Sequence, residues 1–145
     1  MRIFRGVAVV VLSLATAGIL FAADDEKEET EEAERPCLLH FTKEGSSFLG
    51  NKTASSWQEH KGVTFDSAFR KVAQATSQLG WAGMVANKDT GTITAGELGA
   101  NISVVVAETA DGSIRVDAKM NLGGSSFPDK KSKNALCASV EAPAK

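Results

Sequence analysis

The clearest periodic pattern in the chain lies between Thr64 and Gly80. Apolar and small residues recur there at spacings of three and four, which places them on one side of a helix; they are Phe65, Ala68, Phe69, Val72, Ala73, Thr76 and Leu79. Thr64 is a typical N-cap residue, and Gly80 is typical of the position just after a last turn. The pattern predicts an amphipathic helix with one side packed on a sheet.

Strand-like runs surround this helix. We expect strands over residues 53–62, 81–87, 92–98, 101–109 and 113–122, and a shorter edge strand over 37–41. The last long run alternates most regularly, with Ile114, Val116, Ala118 and Met120 on its apolar side. Asp111-Gly112 before it is a strong hairpin signal. A final helix over 129–141 should turn Leu136 and Val140 inward.

These elements follow one another in the order β-α-β-β-β-β-α. That order predicts an α+β domain in which an antiparallel sheet of about four to five strands packs on one main amphipathic helix. Two cysteines, Cys37 and Cys137, lie near the two ends of this domain. We expect them to form a disulfide that ties the ends together.

The N-terminal part of the chain has a different character. Two arginines precede an apolar run that is shorter than the roughly 20 residues of a membrane span and ends at Ala22-Ala23. This layout predicts a signal peptide over 1–23 and export to the periplasm or the extracellular space, with a retained N-terminal membrane anchor as the alternative. Residues 24–36 are rich in acid and have little apolar surface, so we expect a disordered linker before a single domain over 37–145.

The charge distribution disfavours nucleic acid as a partner. The formal net charge is −2, and most of the excess acid lies in the predicted linker. Basic residues are scattered and are not interleaved with aromatic residues, which disfavours nucleic-acid binding. We expect no integral membrane span after signal cleavage. The distribution of charged and apolar residues does not define the oligomeric state.

Several residues suggest chemistry, and each has a simpler interpretation. Asp89 begins Asp-Thr-Gly-Thr, the short signature of aspartic proteases, but a hydrolase would need a second carboxylate close by, and the surrounding residues favour a hairpin turn. A zinc site would combine Cys37 and Cys137 with His40 and His60, without the paired cysteines of most such sites. We therefore expect no catalytic residue, no cofactor and no metal.

The stretches "FDSAFRKVAQATSQLGW", "DTGTITA", "GSIRVDAKMNLGG" and "KKSKNAL" resemble small exported bacterial domains of unknown function, many of them lipoproteins. The arrangement is similar to the helix-grip domains of BamC, an accessory lipoprotein of the outer-membrane β-barrel assembly machine. This resemblance implies a fold and a cell-envelope location, and it carries over no catalytic residue.

The function expected from the sequence is therefore that of a non-enzymatic, exported protein of the cell envelope that binds a protein partner. Trp57 is the candidate partner surface if its side chain is exposed, because tryptophan is enriched at binding hot spots. The alternative is a small apolar-ligand-binding protein, because Ala68, Ala73 and Ala75 on the main helix would leave room for a ligand.

Overall fold

A computed structural model describes residues 35–45, 51–97, 99–123 and 130–145. The expected signal peptide and residues 24–34 of the expected linker lie outside this description. The helices are α1 (Pro36–Leu39), α2 (Phe65–Ser77) and α3 (Lys130–Glu141), followed by a 3-10 turn at Ala142–Ala144. The strands are β1 (Thr42–Glu44), β2 (Asn51–His60), β3 (Val85–Asn87), β4 (Thr92–Glu97), β5 (Ala100–Glu108) and β6 (Ile114–Gly123).

Across the described residues, the strands form one antiparallel sheet in the order β1-β2-β6-β5-β4-β3. The predicted α+β class is confirmed. The predicted number of strands is too low, because the sheet has six strands. The sixth is β1, a short edge strand that pairs with residues 53–55 of β2.

Two predicted strands differ from the structure. Residues 37–41 do not form an edge strand, because Pro36–Leu39 is a helical turn. Pro36 occupies its start, where the missing N–H is not needed and the fixed φ favours helix. The strand expected over 81–87 is reduced to Val85–Asn87, so Trp81 does not begin a strand and instead packs, partly buried, against the core.

Helix α2 forms as predicted. The Thr64 side chain caps it by accepting a hydrogen bond from the Ser67 N–H at 3.3 Å. The helix ends at Ser77, slightly before Gly80, and Gly80 then takes a positive φ of 74°. The buried residues of this helix belong to the predicted apolar side; they are Ala68, Phe69, Val72 and Thr76.

The core lies on one face of the sheet. The predicted inward residues of β6 are all buried, and they align across the sheet with buried residues of β2, β5 and β4, as in the row Ala54, Met120, Ile102 and Ala95. Helices α2 and α3 contact each other and cover this face together. Leu136 and Val140 of α3 are fully buried, as the pattern predicted.

Helix α1 is fastened to α3. The predicted disulfide between Cys37 and Cys137 is present and joins cysteines that are 100 residues apart, with both side chains fully buried. Arg35, at the end of the expected linker, donates to Asn134 at 2.7 Å and to Glu141 at 2.9 Å. The Ser56 hydroxyl on β2 donates to the carbonyl of Cys37. These contacts hold the short helix against both α3 and the sheet.

Two turns show why particular residues are required. Gly91, before β4, has a φ of 66°, and a Cβ there would meet the carbonyl of Val106. In the β5–β6 hairpin, the Asp111 carboxylate accepts hydrogen bonds from the Thr109 hydroxyl and from the N–H and hydroxyl of Ser113. These bonds, that of Thr109 above all, hold the pKa of Asp111 below its ordinary value.

Among the described residues, no helix is both long enough and apolar enough to cross a membrane.

Candidate functional site: the open face of the sheet

The second face of the sheet lies opposite the helices, and we call it the open face. Its side chains are the outward partners of the buried ones, because side chains alternate between the two faces of a strand. One row crosses all six strands and consists of Thr42, Ser55, Lys119, Ser103, Thr94 and Val85. A second row consists of Trp57, Asp117, Val105, Thr92 and Asn87. Most of these side chains are short and polar, and Trp57 is the largest.

Trp57 is sandwiched between two other side chains. The His40 ring stacks on it with centroids 3.7 Å apart and planes 17° from parallel. The guanidinium carbon of Arg115 lies 4.2 Å from the centre of the same indole ring. Two planar groups this close need opposite faces of the ring, since one face has no room for both. His40 approaches from the β1 side and Arg115 from the β6 side, so mainly the edge of the indole remains for a partner.

Strand register explains how Arg115 reaches the ring. Trp57 lies directly opposite Asp117, and Arg115 is two residues away from Asp117 on the same strand. Diagonal neighbours of this kind are within reach of aromatic and long side chains. Trp57 is half-buried, so the guanidinium over its ring should contribute between the value of about 0.5–1 kcal/mol at exposed sites and the value of about 2 kcal/mol at desolvated sites.

A bidentate ion pair fixes the direction of the guanidinium. Arg115 donates from Nε and from one terminal nitrogen to the two carboxylate oxygens of Asp117, both at 2.9 Å. Hydrogen bonding to Asp117 also raises the pKa of Arg115, which favours the charged form of the guanidinium. The pair is partly exposed and adds about 1 kcal/mol or less to stability. Its main effect is to give the site a fixed geometry.

A shallow hollow of about 470 Å³ lies beside the stack. His40, Trp57 and Asp117 line one part of it, and Ser103 and Val105 line another. Val105 is 38% exposed, which is high for a valine in a central strand. The hollow therefore combines an aromatic edge and an apolar patch with hydroxyl groups and fixed charges.

The position of His40 depends on helix α1. His40 is the residue that ends α1, three residues after Cys37. The disulfide and the contacts of Arg35 hold this helix in place, and so they also place the imidazole over Trp57. The position of His40 on the open face thus depends on the disulfide.

The structure places Asp89 in the turn between β3 and β4. Its side chain is exposed, and its N–H donates to the side-chain oxygen of Asn87 at 3.0 Å. Asn87 also accepts from the N–H of Thr90 at 3.3 Å, which is the usual way an asparagine stabilises a turn. An exposed turn does not provide the enclosed environment in which two carboxylates share a proton. This placement favours the turn interpretation of Asp-Thr-Gly-Thr.

The four residues of the hypothetical zinc site are used in other ways. Cys37 and Cys137 are bonded to each other, and His40 stacks on Trp57. His60 is buried under α3, where its Nε2 lies 2.7 Å from the carbonyl oxygen of Val140. Within the described residues, neither imidazole is hydrogen-bonded to a serine or threonine hydroxyl, so these residues contain no assembled hydroxyl–imidazole pair.

Comparison with known proteins finds no matching family, no matching curated protein and no matching solved structure. The resemblance to helix-grip domains therefore stays a prediction.

Sequence reasoning singled out Trp57 but missed its three companions. Arg115 and Asp117 do carry a signal, because opposite charges two residues apart on an alternating strand lie on the same outward face. His40 carries no such signal. Its contact with Trp57 depends on the fold of α1, which the sequence pattern assigned to a strand.

Proposed function

We propose that this protein is an exported, non-enzymatic interaction domain of the bacterial cell envelope, and that it binds a protein partner through the open face around Trp57. One observation carries the proposal. Both long helices described cover the same face of the sheet, and the opposite face bears a pre-ordered stack of His40, Trp57 and Arg115. Tryptophan and arginine are the residues most enriched at binding hot spots.

The size of the open face suits a protein partner. The five spacings of about 4.8 Å between the six strands, with the longest strands about 30 Å long, give an upper limit of about 700 Å². A standard interface buries about 800 Å² on each partner. Charges of both signs lie beside the apolar centre, with Lys119 in the lining of the hollow and Glu59 opposite Arg115, and they would favour a specific orientation of the partner.

The disulfide supports the proposed location. Disulfides form and persist in oxidising compartments such as the bacterial periplasm and the extracellular space, and Cys37 and Cys137 are bonded. The signal-like N-terminal sequence agrees with the same route. An envelope protein is therefore the partner that we propose.

The test is chemical crosslinking in intact cells with three variants. Trp57→Ala and Arg115→Ala alter the stack, whereas Arg70→Ala removes an exposed arginine from α2 on the other side of the sheet. A hot-spot tryptophan contributes about 2 kcal/mol or more, so Trp57→Ala should lower the yield of adduct about thirty-fold at limiting partner concentration. Arg70→Ala should leave the yield unchanged.

Thermal melts must first show that each variant is folded. If Trp57→Ala and Arg70→Ala give the same adducts in the same yield as the unaltered protein, the proposed surface is wrong.

A further inference from the structure

A trough of about 480 Å³ runs along the helical side of the domain, between α2 and the C-terminal turn. It lies across the sheet from Trp57 and shares no residue with the open face. Its volume falls within the range of about 300–1,000 Å³ that is usual for small-molecule sites.

Half of the residues that line the trough are apolar, and we call them its floor; the others are lysines and glutamines. The floor is formed by Ala75 and Leu79 of α2 together with Ala138 of α3 and Ala142 of the 3-10 turn. Ala75 belongs to the alanines from which the sequence suggested room for a ligand, whereas Ala68 is fully buried in the core. Because three of these residues are alanines, the trough has space for a narrow, unbranched chain. It has no deep pocket that would hold a ring.

The rim of the trough is basic. Lys71 lies one helical turn before Ala75, and Lys145 follows the 3-10 turn, so an amine lies near the floor on each helical element. None of the side chains that line the trough is acidic. Lys71 donates to the carbonyl of Pro143 at 3.2 Å, a bond that keeps its ammonium group at the rim without neutralising it.

The nearest acid beyond the lining is already engaged. Glu141 lies 3.9 Å from the ammonium nitrogen of Lys145, but its carboxylate is 2.9 Å from the guanidinium of Arg35. The Arg35 contact is the closer and less exposed of the two. The trough therefore has two ammonium groups at its rim, above an apolar floor.

We propose that this trough binds an amphiphile composed of a carboxylate head and an unbranched alkyl chain. The carboxylate lies between the ammonium groups of Lys71 and Lys145, and the chain lies on the alanines toward Leu79. Lys71 lies six residues before the end of α2 at Ser77, about 9 Å along the axis, and Leu79 lies two residues further on, so the floor suits a chain of about ten carbon atoms. This ligand site is independent of the protein-binding face proposed above.

The probe is sodium decanoate, kept below its micelle concentration and titrated into the isotope-labelled full chain while backbone amide NMR shifts are followed. We expect saturable shifts confined to α2, the end of α3 and the 3-10 turn. Octanoate should bind about five-fold more weakly. The loss of two completely buried methylenes would weaken binding about fifteen-fold, and the expected effect is smaller because the trough is open on one side.

Four variants locate the site. The double change Lys71→Gln/Lys145→Gln should weaken decanoate binding at least five-fold, and Ala138→Phe should abolish it by filling the trough. Ala75→Leu serves the same purpose if Ala138→Phe does not fold. Lys119→Gln removes a lysine from the open face and should leave the affinity unchanged.

A cationic amphiphile of equal length, decyltrimethylammonium, separates charge recognition from nonspecific adsorption. We expect it to bind at least ten-fold more weakly than decanoate. The proposal is overturned if decanoate gives no saturable shifts, if the shifts lie elsewhere, or if the cationic amphiphile binds equally well. It is also overturned if a folded, trough-filling variant retains the full affinity.

Discussion

Reduction of the disulfide should cost the domain a large part of its stability. The bond closes a loop of 100 residues, so the chain-entropy model assigns it about 4.7 kcal/mol at 25 °C. Domains of this size are stable by about 5–15 kcal/mol. The folded contacts of α1 with α3 and β2 add to the expected loss, because they are held in place by the same bond.

The assay is equilibrium unfolding in urea, followed by tryptophan fluorescence, for the oxidised and the reduced protein. With a slope of about 1.5 kcal/mol per molar urea, the transition midpoint should fall by about 3 M on reduction. The double variant Cys37→Ala/Cys137→Ala should resemble the reduced protein. The emission of folded, reduced protein should also change, because His40 is no longer held over Trp57.

A fall in midpoint of less than about 1 M would refute this reasoning, since it would mean that the loop is already constrained without the bond. An unchanged emission spectrum of the folded, reduced protein would refute the link between the disulfide and the open face.

Three further changes have matched controls or a defined pH range. Leu136→Ala empties a fully buried site and should cost about 2–5 kcal/mol in urea unfolding, whereas Leu39→Ala, at a leucine that is 78% exposed, should cost about 0.5 kcal/mol or less. Gly112→Ala should cost about 1–2 kcal/mol for its positive φ alone, and Gly91→Ala should cost about 2 kcal/mol more, because its Cβ meets a carbonyl of β5. Asp111 has a lowered pKa in the folded state, so its stabilising effect is present above its ordinary pKa of 3.8 and is lost as the pH falls through the folded value. Thermal melts below about pH 4 should therefore show a steeper loss of stability for the unaltered protein than for Asp111→Asn, and parallel curves would contradict this assignment.

The elements that could be predicted are those with a strong local pattern. The apolar face of α2 and the alternation of β6 follow from hydrophobic spacing alone. The buried residues of α2 are all predicted ones, and in β6 the four predicted residues are buried together with Leu122, which continues the same alternation. The disulfide could also be predicted, because two cysteines in a chain with a signal-like N-terminal sequence have one pairing available. In these cases the local preference and the tertiary fold agree.

The site depends on information that the local pattern does not contain. "CLLHF" is apolar and short, so its hydrophobic spacing does not distinguish a strand from a helical turn. Pro36 and the disulfide favour the helical turn that the structure shows. The contact between Trp57 and Arg115 depends on the register of β2 against β6. That register is set by packing between segments more than 50 residues apart, which no short window of sequence records.

The most direct test of the central claim uses a photo-crosslinking amino acid at two serines, one on each side of the sheet. Ser103 lies on the open face near the hollow beside Trp57, and Ser77 lies exposed at the end of α2. After irradiation of intact cells, we expect a discrete protein adduct from position 103 that disappears in the Trp57→Ala background, and no corresponding adduct from position 77. Equal adducts from both positions, or an adduct from position 103 that persists without Trp57, would contradict the account.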